Sequence, residues 1–147
     1  MGSLANCFLT MLPYFLTPIL AWCTAGALKF IINSIGSKRL AFDLVGYGGF
    51  PSNHAAIVSS TTSLIAIREG FNSPAFGIAI TLAFIVILDA NNLRWQLGQH
   101  AKRLNEISRE RPANTLLRES IGHTKTEILA GIVVGIAVSL LADISLN

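Results

Sequence analysis

Four apolar segments with very few charges constrain the fold of this chain more than any other feature. They cover roughly residues 8–32, 52–68, 74–89 and 126–141. Apolar residues make up 52% of the 147 positions and charged residues 13%, about half the charged share usual in soluble domains. We therefore predict an all-α integral membrane bundle of about four spanning helices in a single domain, residues 1–147. A very apolar soluble helical domain is the alternative.

The first two segments contain features that modify a simple spanning helix. Pro13 and Pro18 interrupt the first segment, so we expect its regular helix to follow Pro18. The second segment should start near Ser52 and end near Arg68. Its middle, residues 59–63, consists only of serine and threonine, so we expect this helix to face other helices and to be shielded from lipid.

The remaining helices are predicted from periodicity and small residues. Pro74 suits the first turn of the third helix. In the fourth, Gly131 and Gly135 have the small-xxx-small spacing of closely packed membrane helices. Between the third and fourth segments we expect an amphipathic helix at the membrane interface, which should end at Arg111-Pro112. The apolar face of this helix comprises Leu93, Leu97, His100, Leu104 and Ile107.

Charge bias predicts the orientation. With four crossings, the glycine-rich loop 33–50, which holds Lys38 and Arg39, and the loop 91–125 lie on the same side of the membrane. These loops contain nearly all the lysines and arginines, so the positive-inside tendency makes this side cytoplasmic. We expect an integral protein of a bacterial inner membrane or an equivalent membrane.

The sequence argues against several other kinds of protein and site. The cations flank apolar segments and form no exposed basic face, so nucleic-acid binding is not expected. Cys7 and Cys23 both lie in or beside the first apolar segment, which argues against a disulfide framework. Three dispersed histidines with two cysteines make no zinc pattern, and no metal or cofactor is predicted. The N-terminal segment lacks a basic n-region and a cleavage site, so we expect a retained helix.

His54 follows Pro51-Ser52-Asn53 at a helix start. In one interpretation Ser52 or Asn53 caps the helix and the histidine only occupies its first turn. In the other, the free N–H groups and positive dipole end bind a phosphate while the histidine exchanges a proton. The position of His54 in the sequence does not decide between these two interpretations.

His123 and Glu127 are four residues apart and share one helix face. A carboxylate there can hold the imidazole tautomer so that the other ring nitrogen is free to attack. The same spacing also makes Thr124-x-x-Glu127 a capping box, in which Glu127 serves only the backbone.

Other polar residues near these helix ends have two interpretations each. Asp89 is either a solvated helix-end carboxylate or a group that orients Arg94. Lys29 either snorkels to the interface or reaches into a polar site. His100 is interpreted as an ordinary interfacial residue.

The stretch GGFPSNHAA at 48–56 resembles the proline-serine-x-histidine motif of the type 2 phosphatidic acid phosphatase and vanadium haloperoxidase superfamily. It is most similar to a small, divergent branch with a glycine-glycine-x-proline-serine-x-histidine signature. The resemblance covers most of residues 29–135 and continues through Asp89-Ala90, Arg94, Gly98-Gln99 and Gly122-His123-x-x-x-Glu127.

This resemblance implies a metal-independent helical membrane phosphatase. By motif position, His123 is the nucleophile that forms a phosphohistidine, and His54 protonates the leaving oxygen and then activates water. Glu127 stands where the superfamily usually has an aspartate that orients the nucleophile. Phosphate oxygens would be bound by Ser52 and neighbouring N–H groups, with Asn53, Lys29, Arg94 and Arg118 as further candidates.

The lysine and arginine positions of the superfamily motifs are only partly matched in this chain. The first motif, a lysine followed at a distance by arginine-proline, is not intact: Lys29 is the candidate for its lysine, and Gly36 occupies the arginine position. In the third motif five residues usually separate the arginine from the histidine, whereas four residues separate Arg118 from His123. Arg94 is the alternative for that role.

These features predict hydrolysis of a lipid phosphate or pyrophosphate at the cytoplasmic face. The competing hypotheses are a non-catalytic member that binds or moves anionic lipids, and a small structural membrane subunit. A homo-oligomer is compatible with four short helices, although only the small-residue spacing points to it.

Overall fold

The structure, a computed structural model, describes residues 2–40, 49–107, 116–119 and 121–145, with side chains from residue 11 onwards. Every regular element in these ranges is an α-helix, which confirms the predicted all-α class. The helices are α1 Gly2–Ser37, α2 Asn53–Glu69, α3 Pro74–Asn91, α4 Leu93–Ile107 and α5 Lys125–Ser145. Predicted features at 41–48 and at Arg111-Pro112 lie outside the described residues.

Among the described residues, three stretches are long and apolar enough to cross a membrane, namely Met11–Ser37, Pro74–Ile107 and Lys125–Ser145. The helix α2 has 17 residues, the lower limit for a crossing, and is rich in hydroxyl groups. It packs against α1, α3 and α5 and so forms the centre of the bundle. The membrane bundle is thus confirmed, and the second of the four predicted segments is its shielded central helix.

The prediction that proline breaks the first helix is wrong, because α1 continues through both Pro13 and Pro18. Each proline removes one backbone donor, and in a membrane helix hydroxyl side chains and neighbouring helices offset such losses. Here the Thr17 hydroxyl donates to the Pro13 carbonyl at 2.7 Å. The helix also starts earlier and ends later than residues 8–32.

The other helix boundaries follow local capping. Ser52 is the N-cap of α2 and accepts from the Ala55 N–H at 3.4 Å. Ser73 caps α3 and accepts from the Phe76 N–H at 3.1 Å, with Pro74 in the first turn. The amphipathic helix is confirmed as α4. Its exposed apolar side chains are Leu93, Trp95, Leu97, Leu104 and Ile107.

The predicted small-residue spacing in α5 brings it into backbone contact with α2. A Cβ atom at Gly131 would overlap the Ser52 carbonyl, and one at Gly135 would lie 2.9 Å from the Ser60 nitrogen. Later residues of α5 therefore meet later residues of α2. The two helices run parallel, and both begin at the same end of the bundle, which we call the site end.

Further contacts identify which other helix ends lie at the site end. Lys29, late in α1, lies beside Gly49 just before α2. The His123 N–H donates to the Ala90 carbonyl at the end of α3, at 3.2 Å. Both histidine motifs thus share one end of the molecule, as the four-segment topology predicts. Which membrane side this end faces stays a prediction.

A cluster of charged and aromatic residues lies at the opposite end of the bundle. Arg68 Nε donates to Asp143 Oδ1 at 2.7 Å, which joins the ends of α2 and α5. The Arg68 guanidinium also lies 5.7 Å from the centre of the Tyr14 ring in α1. This cluster supports the antiparallel arrangement of α1 against α2.

The close packing of α2 and α5 predicts that Gly135→Ala lowers the free energy of unfolding by about 1–3 kcal/mol, because the added methyl group meets the α2 backbone. Reversible unfolding in detergent micelles measures this. The matched control is Gly77→Ala in α3, where a Cβ meets nothing within 4 Å. That variant should be unchanged or slightly more stable. Equal losses in both variants would contradict the proposed contact.

Candidate functional site

His123 and Glu127 form an ion-pair geometry at the start of α5. His123 Nδ1 lies 2.9 Å from Glu127 Oε2, and only 3% of the His123 side chain is exposed. A carboxylate only accepts hydrogen bonds, so Nδ1 carries the hydrogen and Nε2 keeps its lone pair. This is the tautomer that a nucleophilic histidine requires.

The capping interpretation of Glu127 also holds in the structure. The Thr124 N–H donates to Glu127 Oε2 at 3.2 Å, and the Glu127 N–H donates to Thr124 Oγ1 at 3.3 Å. These two bonds form the capping box. One oxygen therefore serves both the helix start and the imidazole, so the two interpretations are not exclusive.

His54 lies in the first turn of α2 and contacts a cation from α4. Arg94 Nη2 lies 3.0 Å from His54 Nε2. A guanidinium only donates, so His54 accepts through Nε2 and its hydrogen is on Nδ1. That Nδ1 atom is buried and has no hydrogen-bond partner among the described residues.

The two histidines and their charged neighbours form one cluster. The ring centres of His54 and His123 are 6.1 Å apart, with the ring planes inclined at 58°. Asp89 Oδ2 lies 3.8 Å from Arg94 Nε, consistent with the predicted orienting role. Lys29 is only 2% exposed. Its ammonium interacts electrostatically with Glu127 and with His54, so it reaches into the site instead of snorkelling.

The surroundings of His54 favour its neutral form. Burial, followed by the positive charge of Arg94, lowers the pKa of His54 below its ordinary value. His123 and Lys29 act in the same direction, and the Asp89 carboxylate opposes them. A ligand that draws Arg94 away from His54 therefore makes protonation of this ring easier.

Ser52 is fully buried, and its N–H donates to the Glu127 carbonyl at 2.9 Å. Its hydroxyl oxygen accepts from the Ala55 N–H and so caps α2, whereas a hydroxyl keeps its hydrogen as a donor. Its predicted role as a phosphate ligand stays a prediction. The capping interpretation of Ser52 is therefore correct, and the residue ties the start of α2 to the start of α5. Neighbouring Asn53 has a buried Oδ1 without a partner among the described residues.

Two further residues discussed from the sequence have exposed side chains. Arg118 is exposed in the segment 116–119. His100 is exposed on α4, as expected for an interfacial residue. Within the described ranges, no three histidine, cysteine, aspartate or glutamate side chains are grouped as metal ligands would be.

A polar cleft of about 570 Å³ opens beside His123. It lies between the α3–α4 junction and the segment that leads into α5. Besides His123, its walls are formed by Asn91, Asn92, Trp95, Gln99, Glu119, Ile121, Gly122, Thr124 and Lys125. The cleft thus offers amides, a cation, a carboxylate and an aromatic ring next to the candidate nucleophile.

Helix α4 holds the segment that carries His123. The Asn105 amide donates to the Leu117 carbonyl at 2.7 Å, and its oxygen accepts from the Leu117 N–H at 2.8 Å. A Cβ atom at Gly98 would overlap the Glu119 carbonyl. Gly122 has a φ of +117°, which favours glycine, and its Cα faces the backbone of Trp95.

The two hydrogen bonds between Asn105 and Leu117, and most of the residues that line the cleft, were not predicted from the sequence. A single asparagine on a polar helix face carries no pattern that identifies its partner. Lys125 could have been predicted as a site residue, because it is a cation two residues after His123 at a helix start. Gly98-Gln99 appeared only as part of the family resemblance.

Known proteins are similar to this chain over most of its length. A family model described as "Divergent PAP2 family" matches residues 11–138. The chain is similar to the uncharacterized membrane protein YuiD of Bacillus subtilis (strain 168), with 28% identity over 142 residues, covering 85% of this chain and 90% of that protein. No solved structure gives a significant match.

Because the Asn105 side chain holds Leu117 through two hydrogen bonds, we predict that Asn105→Ala speeds hydrogen exchange at the Leu117 amide by about tenfold. This is the effect expected from the net loss of one hydrogen bond. Exchange measured by mass spectrometry in detergent resolves the segment 116–119. Glu106→Ala, at the next exposed position of α4, is the control and should leave exchange unchanged. Similar exchange in all three proteins would show that α4 does not hold this segment.

Proposed function

The chain belongs to the divergent PAP2 family, and we propose that it is a membrane phosphatase that hydrolyses a lipid phosphate or pyrophosphate through a phosphohistidine. The observation that carries this proposal is the pairing of His123 with Glu127 at 2.9 Å, with the His54 ring 6.1 Å away. One ring has an oriented lone pair, and the other is close enough to exchange protons at the same phosphate.

The reaction has two steps. In the first, His123 Nε2 attacks phosphorus, the bond from phosphorus to the leaving oxygen breaks, and that oxygen takes a proton from His54. In the second, water attacks phosphorus, the phosphorus–nitrogen bond breaks, and His54 takes the water proton. Inorganic phosphate leaves, and both histidines return to their starting states.

Arg94 links phosphate binding to the proton on His54. In the structure its guanidinium donates to His54 Nε2, the atom that must carry the proton. A phosphate competes for this guanidinium as a stronger, charged acceptor. Once Arg94 contacts the phosphate, Nε2 is free and the adjacent positive charge has moved away, so His54 binds a proton more readily.

The cations around the site stabilise the charge that develops on the phosphoryl oxygens. Arg94 lies near Asp89, and buried Lys29 interacts electrostatically with Glu127. Lys125 lines the cleft at the start of α5. We place this site at the cytoplasmic face, because both loops that adjoin it hold most of the lysines and arginines.

A second candidate function is the binding or movement of an anionic lipid without hydrolysis. The Arg94–His54 contact favours it, because an arginine that stays on Nε2 prevents His54 from acting as an acid. The two functions differ in whether phosphate is released and whether His123 is needed for that release.

His123→Asn is expected to reduce phosphate release by more than about a thousandfold, because no other group replaces the nucleophile. Glu127→Gln should reduce kcat by about a hundredfold or more, since the imidazole loses its orienting carboxylate. Purified protein with a panel of lipid phosphates measures both, and vanadate should inhibit the wild type as a phosphate mimic. His100→Asn on α4 is the control. Equal release by His123→Asn and the wild type would rule out the mechanism.

Arg94→Gln is expected to raise the pKa of His54 towards its ordinary value, because the positive neighbour is removed. Protonated His54 is required in the first step, so kcat falls as pH rises through this pKa. In the variant that fall should occur at higher pH, although its maximum kcat is lower. Histidine ring NMR titration and pH–rate profiles measure both shifts. Arg103→Gln, exposed on α4, is the control, and an unchanged His54 pKa in Arg94→Gln would contradict the link.

A further inference from the structure

An apolar groove lies directly beside the polar cleft, on the membrane-embedded side of it. It has a volume of about 270 Å³ and runs between α3 and α5. Its apolar walls include Leu88, Ile128, Leu129 and Ile132. Two residues, Asn91 and Lys125, line both the groove and the cleft, so the two spaces meet at these side chains.

The groove exists because of how the helices pack. Both α3 and α5 pack extensively against α2, but they make few contacts with each other. At the site end, the His123 N–H, two residues before α5 begins, donates to the Ala90 carbonyl of α3. Below this point apolar side chains of both helices are uncovered, and Leu88 and Leu129 are 43% and 62% exposed.

The groove is large enough for part of one hydrocarbon chain. From Lys125 to Ile132 the helix rises about 10 Å, and the volume of the groove is about 270 Å³. An apolar cavity of about 150 Å³ already holds a benzene-sized ligand.

The polarity along this path matches an amphiphile with an anionic head. At the upper end the Lys125 ammonium and the Asn91 amide adjoin His123 in the cleft. At the lower end only isoleucine and leucine side chains are presented. An anionic group in the cleft and an apolar chain in the groove can thus belong to one molecule.

We propose that the α3–α5 groove holds the hydrocarbon chain next to the phosphate of the substrate. This inference rests on the proposed function, because it assumes that the phosphate lies at His123. Lipid is as apolar as the groove, so the groove adds little affinity. Its contribution is to align the phosphate with the nucleophile.

Blocking the groove tests this directly. Ile132→Trp fills it, and Ile136→Trp makes the same change one turn further along α5, outside its walls. For a long-chain alkyl phosphate, Ile132→Trp should lower kcat/KM by about tenfold or more, because the phosphate is misaligned. For a tail-less aryl phosphate it should change little. Ile136→Trp should behave as the wild type with both substrates.

A binding measurement separates this inference from the proposed catalysis. A long-chain alkyl phosphate with a photoreactive diazirine in its tail is cross-linked to the protein in detergent, and labelled peptides are mapped by mass spectrometry. Labelling is expected at residues 87–91 and 128–132. Unlabelled alkyl phosphate should compete, an alcohol of the same chain length should not, and Ile132→Trp should lose the label while Ile136→Trp keeps it.

The possible outcomes are distinguishable. Competed labelling of the groove without phosphate release supports the tail site and overturns the catalytic proposal. Phosphate release with equal kcat/KM for Ile132→Trp and Ile136→Trp overturns the tail site and leaves the catalytic proposal standing. Labelling spread evenly over the lipid-facing helices without competition also overturns the tail site.

Discussion

The parallel contact between α2 and α5 is the constraint on which the site depends. Gly131 and Gly135 let the two backbones approach so closely that a Cβ atom at either position would meet α2. The Ser52 N–H then bonds the Glu127 carbonyl, which aligns the two helix starts. Each start carries one histidine motif. A wider spacing between these helices would separate the two imidazole rings, whatever residues surrounded them.

Local helix capping and site chemistry use the same atoms in this protein. Glu127 Oε2 accepts from the Thr124 N–H as part of a capping box and also from His123 Nδ1. The carboxylate is therefore held from two directions, which limits its rotation and that of the imidazole. Arg94 is different, because it is partly exposed and its partner, His54, accepts through a nitrogen that the proposed reaction requires. The carboxylate held from two directions thus contacts the proposed nucleophile, and the partly exposed Arg94 contacts the proposed acid.

Much of this arrangement is predictable from sequence because it depends on short-range patterns. The apolar segments, the caps at Ser52 and Ser73, the amphipathic α4 and the glycine spacing in α5 each depend on residues within a few positions. The continuity of α1 through Pro13 and Pro18 was not predicted, since it depends on backbone groups being satisfied locally and by neighbouring helices. Asn105 and the cleft wall depend on contacts between distant segments, for which a single sequence holds no signal.

The proposed reaction passes through a covalent bond between phosphorus and His123, and trapping that bond is its most direct test. A His54→Gln variant lacks both the acid of the first step and the group that activates water. An aryl phosphate, whose leaving group needs no proton, should therefore still phosphorylate His123 in this variant, and the adduct should accumulate. After incubation and rapid alkaline quenching, mass spectrometry should find a phosphoryl group on the peptide that contains His123. The same experiment with His123→Asn should find none. Phosphate release by the wild type, with no adduct at His123 in either the wild type or the His54 variant, would contradict the account.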